Sequence, residues 1–578
     1  SVSDSLSITL EGIDSSDFVV EAMNFSRLDV DTDPSDEVRA GTQGNDLLEV
    51  EGNQTTLVGG HGDDFLRGSL SSYKDSVLRP GPGVDIIVGN DGKDRLDYSD
   101  SPVPVEIRVR KGDDFIYSIG SVSEKGIGPS APDSFENIES FRGSPLDDTL
   151  SGGKFDEEFV PSGGRDHVDA GDGIDMVDSS ELSHDAEVSM RSGVYRFSDG
   201  LTQFRDIEHV FTGAGDDHLT AGLDSVTQHV LYGGDGADTV EAALSGDVLS
   251  GEGGEADLLS FSRSREAVYL DLSKTVQVDV GEYTLDTKLA LARSDHEDGV
   301  SVSDARSDHF SGFEQYHGSI MDDHLVGGAS ADRISGMAGH DSLIGGGGAD
   351  TLSGGSGNDT VRGGAGEDVL SGGAGDDLVS DGFGQAIKLS GGPGQDVLEV
   401  SHSDTPRIVD LRAEEIRWND GQVETFSGFE GAMTGSLNDT LLGDDAANHL
   451  SSGAGADSIE GGDGQDTVSG GAGSDTLSGG AGRDVFAIGP ASRADDIDRI
   501  TDFDPDSDRF LIDFDGLGVI PGEGVSMVGD PDGARLVLSD SAGSVRARVV
   551  MEGVNEQGVD IDAILDPLDK IGRASCRE

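Results

Sequence analysis

The chain has 578 residues, with Lys+Arg 39 against Asp+Glu 114 and a formal charge of -75. That excess forbids a nucleic-acid partner and sets self-repulsion against a compact state unless cations neutralise it, so folding is expected to be linked to ion binding. Only 34% of the residues are hydrophobic and 5% aromatic, beside 88 glycines, which argues against a large conventional core; with no apolar run of about 18 residues, nothing is expected to span a membrane as a helix.

Residues 1–40 alternate acidic and aliphatic positions, as in SLSITLEGI and DFVVEAMNF, and read as a β segment whose beginning is expected to be lost. The first residue is Ser1, with no basic stretch and apolar run after it: either the start is missing or there is no cleaved N-terminal signal. Over 41–98 a nine-residue block recurs in scattered form, GTQGNDLLE, GGHGDDFLR, PGPGVDIIV and GNDGKDRLD, placing Asp46, Asp64, Asp85 and Asp94 at one position. Residues 99–260 read as bridging strands with interrupted repeats, where AGDGIDMVD, TGAGDDHLT and GGDGADTVE add Asp175, Asp217 and Asp238.

A second, longer repeat runs through the same region. Phe135 to Glu139, Phe204 to Glu208, Phe310 to Glu314 and Phe426 to Glu430 share F-x-x-[IF]-E, each followed by a polar pair that leads into a turn block. Repeated identical positions in a stacked architecture report packing, so the aromatic and the Ile/Phe are expected in the core and the Glu is not expected to be catalytic. Before three of these segments, 103–110, 267–280 and 407–418 alternate apolar and polar residues, the pattern of longer strands or hairpins laid on the repeat. The strand-rich insertion 261–317 holds the most plausible partner-contacting loop, Glu282 to Asp298.

Residues 318–398 carry the main run. From Gly318 to Ser380 seven consecutive blocks keep Asp at the sixth place, Asp323, Asp332, Asp341, Asp350, Asp359, Asp368 and Asp377, and an aliphatic residue at the eighth; GGPGQDVLE then adds Asp396. A disordered Gly/Asp linker would not keep an aliphatic residue at every ninth position, and collagen needs glycine at every third. So strict a period marks a solenoid in which each unit stacks on its neighbours. Within a block, Gly-Gly-x-Gly forms a tight turn that brings carbonyl oxygens together, Asp closes it, and the rest is long enough only for a very short strand with one inward aliphatic side chain. Carbonyl and carboxylate oxygens without paired His or Cys suit Ca²⁺.

The blocks resemble the GGxGxDxUx nonapeptide of the RTX (repeats-in-toxin) family. The resemblance implies an all-β fold of right-handed parallel β-roll or β-solenoid modules joined by strand-rich bridging segments, with two blocks per coil, turns two blocks apart stacked, and calcium ions between them. The F-x-x-[IF]-E segments are similar to the bridges between nonapeptide runs in multi-module members.

After a bridge at 399–433, whose Trp418, the sole Trp, is expected to be a packing anchor, the second run covers 434–487. Its sixth places are Asp439, Asn448, Asp457, Asp466, Asp475 and Asp484; the neutral amide of Asn448 is a weaker calcium ligand, which puts its site in doubt. Residues 488–570 contain ADDIDRITDFDPDSDRFLIDF, which resembles the capping segment of serralysin-type C-terminal domains, with Phe486, Ile500, Phe503, Phe510 and Leu511 expected to close the core. In that family this region carries the uncleaved signal for type I secretion. Ala534 to Val550 reads as a hairpin and Val559 to Leu565 as an acidic-aliphatic tail. The terminal IGRASCRE, 571–578, holds the only cysteine, Cys576, and is expected to be the translation of a sequencing adapter.

No H-E-x-x-H, G-x-S-x-G or Walker A pattern occurs, and the 13 histidines lack ligand spacing; His218, His324, His340 and His449 read as solvated turn residues. The expectation is a calcium-binding protein, not an enzyme in the part shown, exported by a type I apparatus to the extracellular space or cell surface of a Gram-negative bacterium, with an unnamed extracellular ligand. The alternatives are the secretion and folding part of a larger exoenzyme (protease, lipase or epimerase) and a surface adhesin.

Overall fold

The computed structural model describes residues 27–30, 38–49, 56–69, 75–90, 92–110, 119–124, 132–222, 228–242, 244–254, 256–280, 283–292, 308–382, 388–400, 405–419, 421–489, 496–517, 519, 524–556 and 559–565. The terminal octapeptide, residues 1–26 and the ends of the Glu282 to Asp298 loop lie outside them. The chain divides into two compact units, Ser1–Leu259 with Ser303–Phe313, and Ser260–Val302 with Glu314–Glu578.

Both units are parallel β-solenoids. In the second, Arg333–Ala338, Thr351–Ser356 and Val369–Ala374 stack as one face, and Ser342–Gly347, Thr360–Ala365 and Leu378–Gly382 as the other. Leu352 stands on Ile334 and Leu370 on Leu352, while Val361 stands on Leu343 and Val379 on Val361, a step of 18 residues. Two blocks therefore make one coil. The eighth-position residues Leu325, Ile334, Leu343, Leu352, Val361, Leu370 and Val379 are all buried, and so are Leu441, Leu450, Ile459, Val468, Leu477 and Phe486 in the second run. One aliphatic side chain per half coil fills the narrow core, which is why so few apolar residues suffice.

The strands of the main roll are longer than the very short ones expected. The longest run six residues, because the second and third residues of the next block keep pairing, Gly355 on Met337 and Ser356 on Ala338. In the first unit the coils begin by Arg27–Val30, which lies parallel to Asp46–Glu49, and most strands there span three residues, as in Phe65–Arg67 and Ile86–Val88.

The alternating segments are not laid on the solenoid; they belong to its sheets. Val105–Val109 pairs parallel with Thr149–Ser151 and antiparallel with Ile119–Glu124, which returns antiparallel to Asp133–Glu136. Arg407–Asp410, Glu415–Trp418 and Val423–Ser427 repeat this meander in the second unit, and Val268–Asp271 pairs with both Tyr283–Ala292 and His324–Val326. A further meander, Glu187–Ser189, Val194–Phe197 and Gly200–Arg205, has weaker alternation in sequence. Trp418 packs under the guanidinium of Arg407, 4.3 Å from its ring centroid.

At the C-terminal end Phe486, Ile500, Phe503 and Phe510 are buried, with the Phe503 and Phe510 rings stacked at 4.9 Å. Leu511 is not part of this closure: Arg509–Ile512 alternates so that Phe510 and Ile512 face in and Leu511 is exposed. Three antiparallel strands, Val525–Asp530, Gly533–Ser539 and Val545–Glu552, cover the end, the last lying parallel to Asp498–Ile500.

Candidate metal centre

Glycine is needed in the turns for space as well as for backbone freedom. Gly355 and Gly357 sit at φ 117 and 127, a region that side chains disfavour, and a Cβ on Gly357 would strike the Gly339 carbonyl oxygen of the coil before it. Met337 occupies the second position of its block and is held at φ 78.

The sixth-position aspartates form ladders. The backbone N–H of Asp323 donates to Asp341 Oδ1 at 2.8 Å, that of Asp341 to Asp359 at 2.8 Å, that of Asp359 to Asp377 at 2.8 Å and that of Asp377 to Asp396 at 2.9 Å. A parallel ladder joins Asp332 to Asp350 and Asp350 to Asp368, each at 2.9 Å. In the second run Asp439 joins Asp457, Asp457 joins Asp475, and Asp466 joins Asp484. In the first unit Asp46 joins Asp64, Asp64 joins Asp85, and Asp217 joins Asp238, while Glu157 donates to Asp175 at 2.8 Å.

One oxygen of each carboxylate thus holds the coil before it. The other is buried without a hydrogen-bond partner among the described residues at Asp64, Asp85, Asp175, Asp217, Asp238, Asp341, Asp350, Asp359, Asp368, Asp377, Asp396, Asp457, Asp466, Asp475 and Asp484. Eleven of those oxygens face the first glycine of their own block; the blocks of Asp85, Asp175, Asp217 and Asp457 begin with Pro80, Ala170, Thr212 and Ser452 instead. A Cβ on Gly345 would meet Asp350 Oδ2 and the Gly363 carbonyl oxygen of the next coil; one on Gly354 would meet Asp359 Oδ2 and the Gly372 carbonyl. Anionic and carbonyl oxygens converge on a space that glycine leaves open, a donor set suited to a hard cation such as Ca²⁺ and unsuited to Zn²⁺. Among the described residues no group of three His, Cys, Asp or Glu side chains converges, so backbone carbonyls have to supply part of any such site.

Other sixth-position residues are turned inward on their own turn. Asp46 Oδ2 accepts from Thr42 N–H at 2.6 Å, Asp94 Oδ2 from Asn90 N–H at 2.6 Å, Asp323 Oδ2 from Ser319 N–H at 2.5 Å and Asp332 Oδ2 from Gly328 N–H at 2.6 Å. Asn448 does the same with Asp444 N–H at 2.7 Å, and its amide donates to the Glu430 carbonyl at 3.2 Å, so both ends of that side chain are occupied. Asp439 Oδ1 accepts from Arg407 N–H at 2.9 Å. In each self-closed turn the donor is the second residue of the block, and in four of the five, Thr42, Asn90, Ser319 and Asp444, it is not glycine.

Three of the four bridging glutamates stand in the ladders. Asp94 N–H donates to Glu139 Oε2 at 3.0 Å, Asp175 N–H to Glu208 Oε2 at 2.8 Å and Asp396 N–H to Glu430 Oε2 at 2.9 Å. The residue after each Glu lies on the residue after the Asp: Ser140 on Arg95, His209 on Met176, Gly431 on Val397. The third residue of each motif is left-handed, Asn137 at φ 59, Asp206 at 56, Gly312 at 72 and Gly428 at 67, and its restriction to Asn, Asp or Gly was the available sign of a compact turn. The expected packing of the motif holds at Phe135, Ile138, Phe204, Ile207, Phe310, Phe313, Phe426 and Phe429, all buried.

A second ladder runs along the outside of the turns. His340 N–H donates to Asp322 Oδ1 at 2.8 Å, Asn358 N–H to His340 Nδ1 at 2.7 Å, Asp376 N–H to Asn358 Oδ1 at 2.9 Å and Gln395 N–H to Asp376 Oδ1 at 3.0 Å. His340 is therefore a link between coils rather than a free turn residue, whereas His218, His324 and His449 begin strands.

Burial, reinforced by the neighbouring aspartates, pushes Asp341 up to about 7 and Asp350 and Asp377 up to about 6. Desolvation of stacked like charges disfavours the ionised form, so the ladder without a cation is electrostatically frustrated.

Residues 230–255, 317–352, 344–379, 433–468 and 460–487 match the RTX calcium-binding nonapeptide repeat, the stretches in which the coils are most regular. The chain thus carries RTX calcium-binding repeats. It is similar to the AlgE6R3 subunit of the Azotobacter vinelandii mannuronan C5-epimerase, at 32% identity over 23% of this chain and 78% of that one, with a TM-score of 0.19. It is also similar to the extracellular lipase LipA from Serratia marcescens, at 18% identity over 42% of this chain and 39% of the lipase, with a TM-score of 0.17. Superpositions at those scores bear on neither fold nor activity. No curated protein matches the chain.

Proposed function

We propose that this RTX-repeat chain is a secreted calcium-binding protein whose role in the part described is calcium-dependent folding rather than catalysis. The supporting observation is the row of buried Asp oxygens without a hydrogen-bond partner among the described residues, which at Asp341, Asp350, Asp359 and Asp396 lie beside a carbonyl of the next coil. Bound calcium would neutralise these carboxylates and so join consecutive coils. The protein's own part is to hold each Asp through its Oδ1, keep Oδ2 directed at the glycine, and leave that glycine without a side chain.

Where calcium is scarce, a chain of charge -75 resists compaction and stays suited to passage through a type I apparatus. Outside a Gram-negative cell, millimolar calcium reaches the range of roughly 10⁻⁴ to 10⁻³ M at which extracellular sites bind, and the rolls form. The test is far-UV circular dichroism of the chain during calcium titration, with magnesium as control. A cooperative gain of β signal near millimolar calcium, absent with magnesium, is expected; a chain already folded in chelator would refute the switch.

A further inference from the structure

We propose that Glu430 is a calcium ligand, completing a terminal site with Asp396 and the Gly428 carbonyl at the end of the main roll. The inference rests on the calcium reading above and adds a ligand that lies outside the nonapeptide pattern.

Glu430 takes the place of the next column aspartate. Its Oε2 accepts the Asp396 N–H at 2.9 Å, the bond by which Asp396 itself holds Asp377 at 2.9 Å. Its own N–H and that of Gly431 donate to the Asp396 carbonyl at 3.0 and 2.9 Å. The Glu430 carbonyl accepts from His449 N–H at 2.9 Å, as the Asp341 carbonyl accepts from Thr360 at 2.8 Å. Glutamate is required here for a geometric reason. In a regular turn the carbonyl-bearing glycine and the Asp are five residues apart, as in Gly354 and Asp359; in the bridge they are two apart, Gly428 and Glu430. The path through the left-handed Gly428 is shorter, and one more methylene lets the carboxylate reach the column.

The cradle is open. A Cβ on Gly391 would meet the Gly428 carbonyl oxygen and Asp396 Oδ2, the latter at 2.7 Å. Asp396 is 0% exposed, and its Oδ2 is buried with no hydrogen-bond partner among the described residues. Beside it lies a cavity of about 280 Å³ bordered by Asp376, Asp396, Glu430 and His449. Of the three sister glutamates, Glu139 and Glu208 lack this opening. Asp94 Oδ2, next to Glu139, is taken by Asn90 N–H at 2.6 Å, and the block of Asp175, next to Glu208, begins with Ala170 instead of glycine, which puts a methyl group where the cradle would be. Glu139 and Glu208 only tie the ladder.

The experiment counts bound calcium on the full chain by equilibrium dialysis and atomic absorption, with folding followed by circular dichroism. Glu430→Gln keeps the acceptor for Asp396 N–H and is expected to bind one ion fewer than the parent, whereas Glu139→Gln and Glu208→Gln are expected to bind as many. Glu430→Asp, charged but too short to reach, should lose the same single ion, which covers the case in which the Gln variant folds poorly. An unchanged count in both Glu430 variants, with calcium-dependent folding intact, overturns this assignment alone. A parent chain that binds no calcium overturns it together with the reading on which it rests.

Discussion

Asp359 is bonded to its column on both sides: its Oδ1 accepts from Asp341 N–H at 2.8 Å, and its N–H donates to Asp377 Oδ1 at 2.8 Å. Its Oδ2 is left buried and unpartnered. A column carboxylate of this kind therefore has one oxygen for the fold and one for a cation, unlike Asp323 and Asp332, whose Oδ2 is taken by its own turn. Asp359→Ala with Asp377→Ala removes both functions from two successive coils. The calcium midpoint for folding should rise by roughly tenfold or more, the equivalent of about 1.4 kcal/mol, and a wild-type midpoint would show that these aspartates are not ligands.

Gly354→Ala separates metal space from charge. The added Cβ would meet Asp359 Oδ2 and the Gly372 carbonyl, while no negative charge is lost. Calcium titration should show weakened binding. Gly421→Ala is the contrast: nothing lies within 4 Å of its Cβ, although φ is 90, so a cost of about 1 kcal/mol from backbone strain and an unchanged calcium midpoint are expected.

Acid should partly replace calcium. The folded-state values of about 7 for Asp341 and about 6 for Asp350 and Asp377 exceed the unfolded value of about 4, so between these limits the folded chain holds more protons than the unfolded one. Stability of the metal-free roll then falls as pH rises from about 4 to about 7 and recovers on acidification. In chelator, the β signal of circular dichroism should be greater near pH 5 than near pH 7.5. A gain in the opposite direction would mean that the ladder is not frustrated by its own charge.

Asp381 stands where the repeat has its first glycine, its carbonyl facing the cradle of Gly363. It is 1% exposed with both carboxylate oxygens unpartnered among the described residues, and burial pushes it up to about 7 against the pull of Arg407. Arg407 is itself buried and donates to the Val400 carbonyl at 2.5 Å. Arg407→Leu should destabilise the second unit by about 1–3 kcal/mol, since it removes the donor to the Val400 carbonyl and the cation whose field favours ionised Asp381. Adding Asp381→Gly, which restores the repeat, should recover most of that loss in thermal unfolding; additive losses in the double variant would show the two residues to be uncoupled.

Local chemistry repeated at a fixed interval was enough to read the coil, the inward column from Leu325 to Val379, and the oxygen-rich turns, because each property belongs to a nonapeptide and is multiplied by stacking. Tertiary structure alone decided how each carboxylate is used. Asp332 and Asp350 occupy the same place in their blocks, yet Asp332 Oδ2 accepts from its own turn at Gly328, whereas that of Asp350 is unpartnered. It likewise put Glu430 in the column and turned Leu511 outward with Ile512 inside. These outcomes depend on which strand lies one coil away, 18 residues along in a regular run and 34 across the bridge from Asp396 to Glu430, a separation over which a local pattern carries no register.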